Sequence, residues 1–230
     1  MIRTLAIFGV LVISTYSLVA CTDVGMDNDT LADDPAAMIE QADLLSFFVT
    51  SEGSGEGGDL GGLDGADAHC QALAEEAGAG DREWRAYLGT EADGGRGVSA
   101  RTRIGDGPWH NANGALIAAD IDELHISPNL AGATAIDENG NMINGFGMQP
   151  NRHDVLTGTM GDGTAFFPDD DDHTCSNWTS SSEGSAMVGH SDRHGGGNTS
   201  WNAAHPSRGC SQSDLQGTGG AGLFYCFAAD

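Results

Sequence analysis

Residues Gly61 to Thr90 read GGLDGADAHCQALAEEAGAGDREWRAYLGT, and two elements follow one another inside this stretch. Ala66, Cys70, Leu73 and Ala77 recur at spacings of four, three and four, which puts them on one face of a short helix. Gly78 and Gly80 stop that helix. WRAYLG, Trp84 to Gly89, alternates in the manner of a strand, with Trp84, Ala86 and Leu88 on one side and Arg85 and Tyr87 on the other.

On the N-terminal side, LLSFFVT from Leu44 to Thr50 is the first strand signal. Ser51 to Gly65 is a glycine-rich loop, but it lacks the GxxxxGK[ST] phosphate-loop pattern, and no Lys exists anywhere to complete one. On the C-terminal side, apolar pieces at Ala115 to Ala118, Thr134 to Ile136, Val155 to Gly158 and Leu223 to Phe227 are separated by loops rich in Gly, Asn and Asp. The pattern is of brief strands within much irregular chain. No repeat, heptad or second domain boundary appears after Phe47, so one domain spans residues 44–230.

The first 20 residues are an address. Arg3 precedes an apolar run from Leu5 to Ile13, and small residues follow, the form of a secretion signal too short to span a bilayer. Leu18-Val19-Ala20-Cys21 resembles the lipobox of bacterial lipoproteins, which implies cleavage before Cys21, lipidation of its thiol, and a stable membrane anchor in the cell envelope. Residues 21–43 are acidic and read as a solvated tether with at most a short helix through Ala36, Met38, Ile39 and Ala42.

Of the 230 residues, 34 are acidic and 9 basic, all nine Arg, for a formal charge of −25. That field excludes binding to nucleic acid through its backbone and disfavours heparin-like polyanions, while it attracts cations and basic partners. Abundant Asp without any Lys is also what a salty habitat selects, where high negative charge is screened. With 35 Gly and 39% hydrophobic residues, the core is modest and the loops numerous.

Beyond Cys21, the even set Cys70, Cys175, Cys210 and Cys226 favours two disulfides in an exported chain, and residue order alone leaves three pairings open. No CxxC is present, which argues against a thiolate zinc site, and nothing in view polarises Cys70 for catalysis.

Gly61 to Thr90 resembles the opening of the endostatin domain of collagens XV and XVIII and its bacterial relatives, with their G-x-x-G-A-D-x-x-C helix followed by a G-x-x-x-R-A-[WYF]-L strand. Val155 to Ser180 resembles a second block of that family through Gly158, Thr159, Gly163, Cys175 and Trp178, and Trp201 to Phe227 resembles its tail through Trp201, Cys210 and LFYCF. The resemblance implies an α+β, C-type lectin-like fold: an irregular mixed sheet, short flanking helices, long loops, and first and last strands brought together. It also implies nested disulfides, Cys70 to Cys226 and Cys175 to Cys210. Trp178 and Trp201 are then core supports. The family's zinc histidines lie close to the domain's N-terminus, whereas the first His here is His69, so that site does not carry over.

Several patterns are candidate sites. Asp169-Asp170-Asp171-Asp172, with Asp162 nearby, crowds carboxylates that a hard cation such as calcium would relieve. Gln149-Pro150-Asn151 and Trp201-Asn202 match parts of the two motifs of calcium-dependent sugar-binding lectins, although Ala203 replaces the second motif's Asp. His190, Asp192 and His194 could serve a transition metal, beside the triple glycine Gly195 to Gly197. No GxSxG, HExxH or aromatic-framed carboxylate pair occurs, and Asp120, Asp122, Glu75 and Glu76 read as solubilising groups. The expectation is therefore a lipid-anchored envelope protein whose non-catalytic domain recognises a protein or glycan, with calcium as the cofactor to consider. A structural surface module and a metal-dependent hydrolase are the alternatives.

Overall fold

The computed structural model describes residues 44–230; the signal segment, Cys21 and the tether lie outside them. The architecture is α+β, with a mixed, largely antiparallel sheet and short helices.

Its axis is the last strand, Gly220–Ala228. GAGLFYCFA is apolar on both faces because both are covered, and Leu223 through Ala228 are buried. We number it β10. It pairs antiparallel with β1 (Phe47–Val49) in the register Phe47 to Phe227, and with β2 (Trp84–Ala86) in the register Cys226 to Ala86. Along its first half it runs parallel to β7 (Asp154–Leu156), Gly220 facing Asp154. The sheet continues from β7 to β8 (Met187–His190) and ends at β9 (His205–Pro206), both steps antiparallel. Two small ribbons, β3 (Glu91–Ala92) with β4 (Gly95–Arg96) and β5 (Trp109–His110) with β6 (Leu116–Ala118), lie outside it. First and last strands do meet.

Helix α1 spans Gly62–Glu76 and buries Ala66, Cys70 and Leu73, as its spacing predicts, together with Asp67 and Ala74, whereas Ala77, expected on that face, lies just past the helix end and is half-buried. A carboxylate on an apolar face must be satisfied where it lies. Asp67 accepts the Ala86 backbone N–H at 2.9 Å and pairs with Arg85 at 2.6 Å and Arg103 at 2.7 Å, tying the helix to β2. Helices α2 (Ile121–Ile126) and α3 (Gln212–Thr218) are short and capped by the side chains of Asp120 and Ser211.

The strand after α1 departs from simple alternation, since Tyr87 is buried along with Trp84, Ala86 and Leu88. Tyr87 still donates its backbone N–H to the Tyr225 carbonyl at 2.9 Å, and its ring joins an aromatic cluster, with ring centroids 4.9 Å from Trp201 and 5.8 Å from Phe227. Thr134 to Ile136 forms only an isolated bridge, from Ile136 to Met142. Trp178 is fully buried and its indole N–H donates to the Gly89 carbonyl at 2.8 Å.

The disulfides are nested, Cys70–Cys226 around Cys175–Cys210, closing separations of 156 and 35 residues. The outer one joins the buried face of α1 to β10. Among the described residues no helix is long and apolar enough to cross a membrane.

Candidate metal centre

Strand register gathers the polar residues that matter. Asp154 opens β7 and lies directly opposite His190, the last residue of β8, so their side chains share a sheet face. His205 on β9 lies opposite Val188, two residues before His190 and therefore on that same face. His153 immediately precedes β7. Its ring stacks on His190 with centroids 4.4 Å apart and planes inclined by 15°.

Three ring nitrogens surround one carboxylate oxygen. His153 Nε2, His190 Nε2 and His205 Nε2 lie 3.1, 3.4 and 3.7 Å from Asp154 Oδ1, and the last two nitrogens are 3.0 Å apart. Metal bonds of 2.0–2.1 Å in a tetrahedron put neighbouring ligand atoms about 3.3–3.4 Å apart, and the four separations bracket that edge. Among the described residues His153, Asp154 and His190 are the one group of three His, Cys, Asp or Glu side chains, all buried, whose ligand atoms can share an ion.

The hydrogen bonding explains why the arrangement calls for a cation. Asp192 accepts the N–H groups of His194 at 2.9 Å and Phe146 at 2.6 Å. Burial pushes its carboxyl up, but these bonds and the one to His153 outweigh it and hold Asp192 below the usual carboxylate range. An ionised Asp192 makes His153 Nδ1 the donor in their 2.9 Å contact, which turns the Nε2 lone pair toward Asp154. A histidine whose far nitrogen is held by a carboxylate is the standard support of a zinc ligand. Asp154 is buried, and neither of its oxygens has a hydrogen-bond partner despite the close ring nitrogens. A buried acceptor left so costs about 1–3 kcal/mol or more when charged.

Protonation equilibria point the same way. Burial raises the Asp154 carboxyl, partly offset by the His153 and His205 charges. Burial first, then the charges of His153 and His205, lower His190 to about 4. His190 is thus neutral and ready to ligate at neutral pH, while the ionised form of Asp154 calls for more positive charge than these neighbours give. A divalent ion held among His153, Asp154 and His190 would supply it.

The other sequence candidates fall elsewhere. His194 is exposed and its Nδ1 bonds to the Asp192 carbonyl, so of the local trio only His190 reaches the focus, with Asp192 in a supporting role. His153, Asp154 and His205 escaped the sequence reading. The clue available was the His-Asp pair directly ahead of an apolar strand, but its partners lie far along the chain. The acidic run does not gather its oxygens at one point: Asp172 bonds to the N–H groups of Thr174 and Ser176, Asp169 to that of Asp171 and to His173, and Asp170 and Asp171 are exposed. Asp162 is bound to Thr164. Trp201 and Asn202 are buried, and the Asn202 amide bonds to Tyr87 and to the Met160 and Gly161 carbonyls.

Gln149 and Asn151 line a cleft of about 770 Å³ with Arg152, Gln212, Gln216 and Gly219. Its wall touches the metal centre. A Cβ on Gly219 would sit 3.0 Å from Asp154 Oδ2 and 3.1 Å from the Asn151 amide nitrogen, so a bare α-carbon separates carboxylate from cleft.

The expectation of a non-catalytic recognition domain does not survive this cluster. A recognition surface needs exposed groups, whereas here a carboxylate and two imidazoles are buried and convergent, with both Asp154 oxygens and His190 Nδ1 left without a hydrogen-bond partner. No family model matches the chain, and no curated protein matches it.

Proposed function

We propose that the protein is a metal-dependent hydrolase whose domain holds a zinc-class divalent ion at His153, Asp154 and His190. The observation that carries this reading is the buried Asp154 carboxylate, unpartnered at both oxygens and faced by imidazole nitrogens at tetrahedral spacing. Nitrogen and oxygen donors in this geometry suit zinc, and such an ion polarises a carbonyl or phosphoryl oxygen and acidifies water near neutrality. The residues divide the remaining work. Asp192 locks the His153 ring, the β7–β8 register holds Asp154 against His190, and Asp154 Oδ2 is the atom placed to hold the proton that water gives up. The adjoining cleft, with carboxamides and Arg152, suits a polar substrate.

The finer architecture belongs to the same proposal. We read the domain as C-type lectin-like and akin to endostatin, supported by the nested disulfides and the β1–β10 pairing. We place it outside the cytoplasm on a lipid anchor at Cys21, supported by the lipobox-like LVAC and the disulfides.

Zinc titration of the full chain after chelator treatment tests this reading. Wild type should take up equimolar zinc with a rise in Tm of several degrees, and His153→Ala and Asp154→Asn should abolish both. Asp154→Asn should also raise the Tm of the metal-free protein, because it removes a buried unpaired charge. Chromogenic esters, phosphoesters and peptides then identify the reaction, with activity lost to chelator and restored by zinc. Zinc uptake unaffected by Asp154→Asn overturns the assignment.

A further inference from the structure

His205 differs from its three neighbours in every respect except position. The side chains of Asp154, His190 and His153 are 2%, 3% and 5% exposed, whereas that of His205 is 38% exposed. The first three come from β7, β8 and the residue before β7, within the sheet interior, and His153 is braced by Asp192. His205 comes from β9, a two-residue strand at the sheet edge that pairs with β8 alone.

Its ring is nevertheless aimed for ligation. Nδ1 contacts the Pro206 carbonyl at 3.0 Å, which fixes the proton there and leaves the Nε2 lone pair directed inward. Nε2 is then 3.0 Å from His190 Nε2 and 3.7 Å from Asp154 Oδ1, separations that two ligands of one ion show. With His205 bound, four protein atoms close the coordination sphere. A hydrolytic centre needs one open position, so one of the four must leave, and the ligand that leaves at least cost is the exposed one on the short edge strand.

We propose that His205 is the fourth, exchangeable ligand of the metal centre: it closes the site at rest and swings into solvent when a substrate oxygen or small anion takes its place. This rests on the metal reading above and deepens it. The exchange is a ligand substitution only, one nitrogen–metal bond breaking as one oxygen– or anion–metal bond forms. His205 is thereby a guard against adventitious anions.

Cobalt(II) substitution of the full chain, followed by visible absorption and azide titration, tests the proposal. Wild type should show the strong bands of a four-coordinate ion. His205→Ala should still bind equimolar cobalt, with altered bands and azide affinity raised about tenfold or more, equivalent to about 1.4 kcal/mol. Added imidazole should restore the wild-type spectrum in His205→Ala. Bands and azide affinity identical in the two proteins overturn the proposal while leaving the three-residue site intact. No cobalt uptake by folded wild type overturns both. His205→Ala that fails to bind cobalt at all, with its fold intact by circular dichroism, overturns exchangeability by making His205 indispensable.

Discussion

At the scale of single residues, two aspartates with opposite surroundings carry the proposed chemistry. Asp192 has three donors, the N–H groups of Phe146 and His194 and the His153 Nδ1, and Asp154 has none. The first is held ionised by backbone N–H groups and a histidine, and the second is raised by burial. In the proposed site the difference separates a carboxylate that would orient a ligand from one that would be a ligand. Replacing Asp192→Asn keeps an acceptor for the backbone groups but removes the charge that holds the His153 proton on Nδ1. Zinc affinity should fall about 10–100-fold with the fold retained, as measured by competition with a chromogenic chelator and by thermal unfolding. Of these residues the sequence points to His190 and Asp192 because they are neighbours. It hides Asp154, since one Asp among 34 acidic residues stands out only by the His153 beside it, and its other partners lie far along the chain.

At the scale of elements, the site follows from where strands stop. If β8 continued past His190, alternation would place 190, 192 and 194 on one face and the local trio would be correct. The strand ends there, Arg193 takes a φ of 55°, and the chain turns back so that Asp192 approaches His153 from behind. A second irregular element lies at the inner disulfide. Cys175, Ser176, Asn177 and Trp178 all have φ between 48° and 65°, a left-handed turn that costs L-residues roughly 1–2 kcal/mol each. Asp172, Thr174 and the buried Trp178 hold it in place. Ser176 is exposed there, so Ser176→Gly should stabilise the protein by about 0.5–1 kcal/mol, net of glycine's greater freedom when unfolded, as read from urea unfolding. A loss of stability would show that the Ser176 side chain supports the turn.

At the scale of the whole molecule, loops outweigh regular structure and covalent links compensate. On a chain-entropy basis, separations of 156 and 35 residues correspond to about 5 and 4 kcal/mol, a large share of a typical net stability of about 5–15 kcal/mol. Reduction should therefore unfold the domain near 37 °C, followed by loss of zinc uptake. Intrinsic tryptophan emission reports it, because Trp84, Trp109, Trp178 and Trp201 are all buried in the folded state. Emission unchanged by reductant would mean that the aromatic core holds the fold unaided. The outer link should matter more, since it joins α1 to the central strand. Eight of the nine arginines lie in the described domain, and Arg85 and Arg103 serve Asp67, so little positive charge remains to counter the field that draws a cation toward Asp154.

What the sequence determined by itself is what depends on local periodicity and count. The helix face of Ala66, Cys70 and Leu73, the strands at Phe47, Trp84, Val155 and Leu223, and an even set of cysteines are legible because neighbours along the chain set them. The resemblance to endostatin supplied the disulfide pairing, which residue order alone left open. Only the tertiary structure decided the rest. Tyr87 and Asp67 are buried by partners far away in the chain, and the candidate metal site brings residues 153, 154 and 190 together, with 205 beside them, through the order of β7, β8 and β9. Its ligands are adjacent across a sheet, not along the chain, and hydrogen-bond register between strands leaves no short motif to read.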